Sequence, residues 1–143
     1  PDGLDSSDLA KIGGKAVVGM YYTSVAGPVT VYPAAKQFAD EYKKKFGKNH
    51  EPFSAQSYDA TGILLKAIEA AAKGGKLPSR EAVSAAIRDV KYSGVTGTVE
   101  FDGKGEPKRA LYFVLEVVSP DPQKWGENKE VKRLIIAAPG PKA

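Results

Sequence analysis

Apolar and polar positions change period several times along the chain, and each change marks an element. Residues 15–23, KAVVGMYYT, are rich in Val and Tyr and follow the glycines of IGG, which predicts a strand leaving a glycine turn. After SVAGPVTVY the spacing becomes helical: Pro33 suits a first turn, Ala35, Phe38, Ala39, Tyr42 and Phe46 recur at three or four residues, and Gly47 is the stop. A longer helix follows in NHEPFSAQSYDATGILLKAIEAAAKGGK. Ser54 is its expected N-cap, with Tyr58, Thr61, Leu65, Ile68 and Ala72 on one face and Ala60, Leu64, Ala67 and Ala71 on a second. Apolar around much of its girth, it is expected to be buried and to end at Gly74-Gly75. A shorter helix begins after Pro78, with Ser79 as N-cap and Val83, Ala86, Ile87 and Val90 on one face. From residue 95 the period falls to two. VTGTVEF and ALYFVLEVV (110–118) are expected to pair through a connection at the DGKG turn, 102–105. A polar loop around Trp125 (119–130), a strand over 131–138 and a loose PGPKA tail complete the chain.

This pattern fits one compact α/β unit, about three helices packed on a sheet. The chain's 143 residues, of which 42% are hydrophobic, suffice for one core and not for two full domains. No apolar run approaches the ~20 residues that span a bilayer. The opening PDGLDSSDL lacks the features of a signal sequence, and a start at the turn-forming PDG suits a mature or truncated product.

Charge and chemistry remove function classes more than they add them. Formal net charge is +4, but the lysines are spread along the chain without the aromatic clusters of a nucleic-acid reader. Lys43, Lys44 and Lys45 fall in the last turn of the first predicted helix, where cations complement the helix dipole, so a solvated helix end explains them better than a phosphate patch. With no cysteine, the chain has neither disulfide nor thiol nucleophile. The single histidine, His50, stands beside Glu51 in a loop without further ligands at metal-binding spacing. Neither GGK, at 13–15 or 74–76, has a phosphate loop's spacing, and both are expected to be glycine turns or helix stops. DGKGE (102–106) places its acids wrongly for a calcium loop, and Asp40 and Glu41, as helix neighbours, point to different faces. No catalytic constellation, metal site or cofactor motif emerges, and the chain is expected not to be an enzyme.

Phe53 and Tyr58 stand at the mouth of the long helix. With Ser54 as N-cap they occupy the N′ and N4 positions of a hydrophobic staple, a role that requires no ligand.

In their order, the runs PDGL…IGGKAVVGMYY, YPAAKQFADEYKKKFGKNHEPFSAQSYDATGILLKAIEAA, REAVSAAIRDV and YSGVTGTVEFDGKGEPKRALYFVLEV resemble the C-terminal part of the periplasmic branched-chain amino-acid binding proteins. These are substrate-binding components of ABC importers, in the leucine/isoleucine/valine group of type I periplasmic binding proteins. The likeness covers residues 1 to about 118, and its most specific stretches are SYDATGILLKAI and GVTGTVEFDGKGEP. It implies part of a two-lobed α/β clamshell that closes on an amino acid or relative and presents it to a membrane permease, without catalysis.

The resemblance divides the chain into a segment of one lobe ending in a crossover strand (1–24), a helical and hairpin segment of the other lobe (25–109), and closing strands with a tail (110–143). It assigns Asp2, in PDG, to the ligand's ammonium group, and Phe53, in EPF, to the ligand's side chain. Tyr58 is left to the core, and Tyr21 and Tyr22 flank the crossover with one ring on the sheet and one toward solvent or the cleft. Asp2 replaces the glutamate of the leucine-preferring members, so the ligand stays unnamed. The longer family members carry the groups for the ligand carboxylate upstream, so this chain is expected to hold one side of a pocket. The implied location is periplasmic or extracellular, free or lipid-anchored, and the isolated chain is expected to self-associate. A ligand-sensing regulatory domain on the same scaffold is the alternative.

Overall fold

A computed structural model describes residues 1–72 and 76–137 of the chain. A 3-10 turn, Asp2–Leu4, leads into α1 (Ser7–Gly13), whose N-cap Ser6 accepts a hydrogen bond from the Asp8 amide at 3.2 Å. This helix is not foreseen above, although its signals, a serine cap and the terminal glycine pair, stand in the sequence. Gly14, at φ +53°, ends it, as expected of the first GGK.

The strand expected over 15–23 is shorter. Residues Gly14–Val17 form a 3-10 helix that buries Val17, Gly19 turns the chain at φ +85°, and β1 spans only Tyr21–Ser24. The positive φ explains the break, since it interrupts extended backbone.

Helix α2 (Ala35–Phe46) ends at Gly47, which takes the left-handed conformation at φ +69°. Its lysine run is exposed. Asp40 pairs with Lys36 and Glu41 with Gln37, each four residues back, so the two acids do face apart. His50 is not a free loop residue: its ring lies 6.0 Å from Phe38 and 6.3 Å from Tyr42.

Helix α3 (Ser54–Ala71) departs from expectation in face and cap. Its buried stripe is Ala55, Asp59, Ile63 and Ala67, while Leu64 and Leu65 are exposed, so the helix is covered on one side rather than around its girth. Tyr58, expected in the core, is 55% exposed and rests on Phe38 at 5.3 Å. Gly74 and Gly75, the expected helix stop, and the PGPKA tail lie outside the described residues. Helix α4 (Arg80–Arg88) follows the reading closely: Ser79 caps it by accepting from the Ala82 amide at 3.2 Å, and Val83, Ala86, Ile87 and Val90 are its half-buried positions.

The expected strand pairing is also corrected. β2 (Tyr92–Gly94) and β3 (Gly97–Val99) form their own antiparallel hairpin around Val95-Thr96, where Gly97 takes φ +117°. β4 (Arg109–Glu116) is instead the centre of a separate sheet, ordered β1-β4-β5, with β5 spanning Lys129–Ala137. The 102–105 turn does connect the two regions: Asp102 Oδ1 accepts from the Lys104 and Glu106 amides at 2.9 Å, and Phe101 bridges to Pro107.

In the three-stranded sheet Tyr22 stands opposite Leu115, Ser24 opposite Phe113, and Phe113 opposite Arg133. This face carries the core of Ala10, Val17, Tyr22, Tyr32, Ala35, Phe113, Leu115, Val117 and Trp125. The 119–130 region is a 3-10 helix, Pro122–Glu127, that drives Trp125 into that core. The chain is thus an α/β unit with four α-helices, one three-stranded sheet and one hairpin among the described residues. No helix there is long and apolar enough to cross a membrane.

Candidate ligand-binding site

The two residues singled out for a ligand are seated by different local devices. Asp2 opens a three-residue 3-10 turn that is exposed throughout and held by backbone bonds from Leu4 to Pro1 and from Asp5 to Asp2. Directly behind this turn, Asp5 is buried, 8% exposed. Its carboxylate accepts from Tyr22 Oη at 3.1 Å, Ser24 Oγ at 2.7 Å and Trp125 Nε1 at 2.9 Å. Asn128 completes the cluster, donating to Tyr22 Oη at 3.1 Å and accepting from the Val118 amide. The Tyr22 and Trp125 rings stack at 5.6 Å. Burial, and then the negative Asp5, push the Tyr22 hydroxyl well above the ordinary tyrosine value of 10.

Phe53 is the N-cap of α3, in place of the expected Ser54, which is already helical. It sits at φ +67°, the left-handed conformation, and offers no side-chain cap; among the described residues it is the one non-glycine with positive φ. Its backbone accepts from the Ser57 amide at 2.8 Å, closing the first turn. The hydrophobic staple is therefore not formed as read: Phe53 holds the cap position, and Tyr58 turns to Phe38. Such backbone strain concentrates where a side chain must be aimed.

The two seats adjoin. Phe53, Asp5, Tyr22, Glu51 and Trp125 line one narrow cavity of about 20 Å³. Ser7, at the start of α1, donates to Glu51 at 3.1 Å, tying the Asp2 end of the chain to the loop that delivers Phe53. Asp2 does not line that cavity. A volume of this size takes about one water, so a larger ligand would meet Phe53 only on its open side. Strand alternation along β1 buries Tyr22 and exposes Tyr21, as the crossover reading expected.

Two residues escaped the sequence reading. Asp5 carries no periodic signal, since it lies in a polar run beside the start of the chain. Asp59 does carry one: it stands at the i+4 position between Ala55 and Ile63, a carboxylate in the middle of an apolar stripe. It accepts from the Val95 amide at 2.9 Å, the Thr96 amide at 2.8 Å and Thr96 Oγ1 at 2.6 Å, which clamps α3 to the tip of the β2–β3 hairpin. A methyl group at Gly94 would collide with the Asp59 carboxylate, and one at Gly62 with the Tyr92 ring. Of the two most distinctive stretches, SYDATGILLKAI thus meets the start of GVTGTVEFDGKGEP, at Val95 and Thr96.

Comparison with known proteins agrees with this architecture. Residues 2–121 match the family model described as periplasmic binding protein. The crystal structure of a leucine binding protein from Thermotoga maritima is 32% identical, with a TM-score of 0.73 over 93% of this chain and 35% of that one. An ABC-transporter solute binding protein from R. palustris in complex with benzoate shares the fold at 14% identity, with a TM-score of 0.69 over 91% of this chain and 34% of its own. The metabotropic glutamate receptor-like protein E of Dictyostelium discoideum is 37% identical over 68 residues, 47% of this chain and 8% of that protein. The chain therefore spans about a third of the length of these solved structures. With most of its residues matched by the family model and its helices and sheet superposing on solved members, the chain belongs to the periplasmic binding protein family, in its type I fold.

Proposed function

We propose that this chain is the C-terminal part of the substrate-binding component of an ABC importer, taking a branched-chain or related amino acid without catalysis. The observation that carries the reading is the likeness to a leucine binding protein, at 32% identity across 93% of the chain. Asp2 supplies a carboxylate to the ligand's ammonium, a charge-assisted contact, and the open face of Phe53 supplies an apolar wall to its side chain. The strained backbone at Phe53 supports that role, because it costs stability that a merely structural cap would not require. The rest of the pocket, including partners for the ligand carboxylate, comes from outside these residues. On this reading residues 1–24, 25–109 and 110–143 are the lobe, opposite-lobe and closing segments, the site of action is periplasmic or extracellular, and the membrane partner is an ABC permease.

A thermal-shift screen of the full-length protein against leucine, isoleucine, valine, glutamate and benzoate tests the ligand class. Stabilisation by the branched aliphatic amino acids is the expected result, and stabilisation by benzoate alone overturns it. A second reading, a sensor domain on the same scaffold, is favoured by the 68-residue likeness to a receptor-like protein. Response to glutamate without response to leucine would select it.

A further inference from the structure

We propose that Asp5 is a positioning residue for Asp2, an inference that rests on the reading of Asp2 as the partner of the ligand's ammonium. The turn bearing Asp2 has three residues, no side-chain cap and no buried residue, so alone it would fray. Its firm point is the next residue. Asp5 donates its amide to the Asp2 carbonyl at 2.8 Å, while its carboxylate is held by Tyr22 and Ser24 of β1 and by the Trp125 indole. Three donors fill most of the roughly four acceptor positions of a carboxylate, which fixes its orientation as well as its place.

The donors come from residues 17, 19 and 120 positions away, so the mooring is to the sheet and core rather than to local chain. Asp5 also lines the cavity behind Phe53, and Ser7, two residues on, holds Glu51. The buried Asp5 carboxylate thus moors the Asp2 turn to the sheet and to Trp125, while Ser7 separately ties the same segment to the loop that bears Phe53. Ordering a site during folding removes that cost from binding.

A double-mutant cycle by leucine calorimetry on the full-length protein tests the inference. Asp2→Ala should weaken leucine by about tenfold to a hundredfold. Asp5→Asn, which turns an amide toward the three donors, should weaken it about threefold to tenfold. In the double variant, affinity should equal that of Asp2→Ala, because Asp5 acts through Asp2. Ser24→Ala, which deletes the 2.7 Å donor and keeps the carboxylate, should give the same non-additive pattern on a smaller scale and serves if Asp5→Asn does not fold. Losses that multiply, or unchanged affinity in both Asp5→Asn and Ser24→Ala, overturn the positioning role while leaving Asp2 at the site. An unchanged Asp2→Ala, or no leucine binding by the unsubstituted protein, overturns the reading of the site and this inference with it.

Discussion

Phe53 shows what one residue can and cannot announce. Its place after proline and before an apolar helix was legible, and so was its distance from Tyr58; the left-handed backbone at φ +67° was not, because glycine or asparagine usually signals it. The conformation makes a prediction that separates ring from backbone. Phe53→Ala should lower stability by about 1–2 kcal/mol through lost packing of a half-buried ring. Phe53→Gly should recover about 1 kcal/mol of that by relieving the positive φ. Phe53→Leu should keep most of the stability, and all three should weaken an amino-acid ligand in the full-length protein. Thermal melts that rank glycine below alanine would contradict the strain. Tyr22 offers a pH test. Its hydroxyl is raised in the fold, so the protonated form that donates to Asp5 contributes stability that is intact below the ordinary tyrosine value of 10 and is lost as pH rises above it. Burial raises Tyr32 and Tyr92 as well, so tyrosinate absorbance should show a late-ionising phase that loses amplitude in Tyr22→Phe; an unchanged titration curve would contradict the assignment.

Among the elements, helices were read more faithfully than strand partners. The helical period and the caps at Gly47 and Ser79 are local chemistry, so α2 and α4 were found nearly at their observed bounds. Pairing depends on contacts distant in sequence. Period two at 110–118 identified most of β4, whereas 95–101 is not one strand: Val95 and Thr96 are the turn between β2 and β3, and nothing local says that β4 lies between β1 and β5. The missing rule was the Asp59 clamp, a helix carboxylate that fixes the hairpin tip. Asp59→Ala would strand the Val95 and Thr96 donors at a half-buried interface and should cost about 2–4 kcal/mol. Gly94→Ala should also destabilise, since a methyl group there displaces the same carboxylate. Denaturant melts of the 143-residue chain measure both; changes within experimental scatter would show that α3 and the hairpin are held by other contacts.

Over the whole molecule, the fold class and family were legible, while the distribution of exposed apolar surface required the structure. β5 is a nine-residue edge strand with Val131, Leu134, Ile135 and Ile136 all substantially exposed, Ile135 by 56%. Leu64 and Leu65 of α3 add a second apolar region. An open edge with apolar side chains recruits further strands. The isolated chain is accordingly expected to associate with a second copy of itself through β5, and light scattering that finds a strict monomer across the micromolar range would contradict this. On the proposed reading, in which it supplies only one wall of a pocket, it is also expected to bind free amino acids poorly. The central claim is that Asp2 and Phe53 form that wall in the intact protein, and its most direct test is titration of leucine into the full-length protein carrying both Asp2→Ala and Phe53→Ala. The account predicts saturable binding by the unsubstituted protein and a loss of at least about a hundredfold in the double variant. Equal affinity in the two proteins would contradict it.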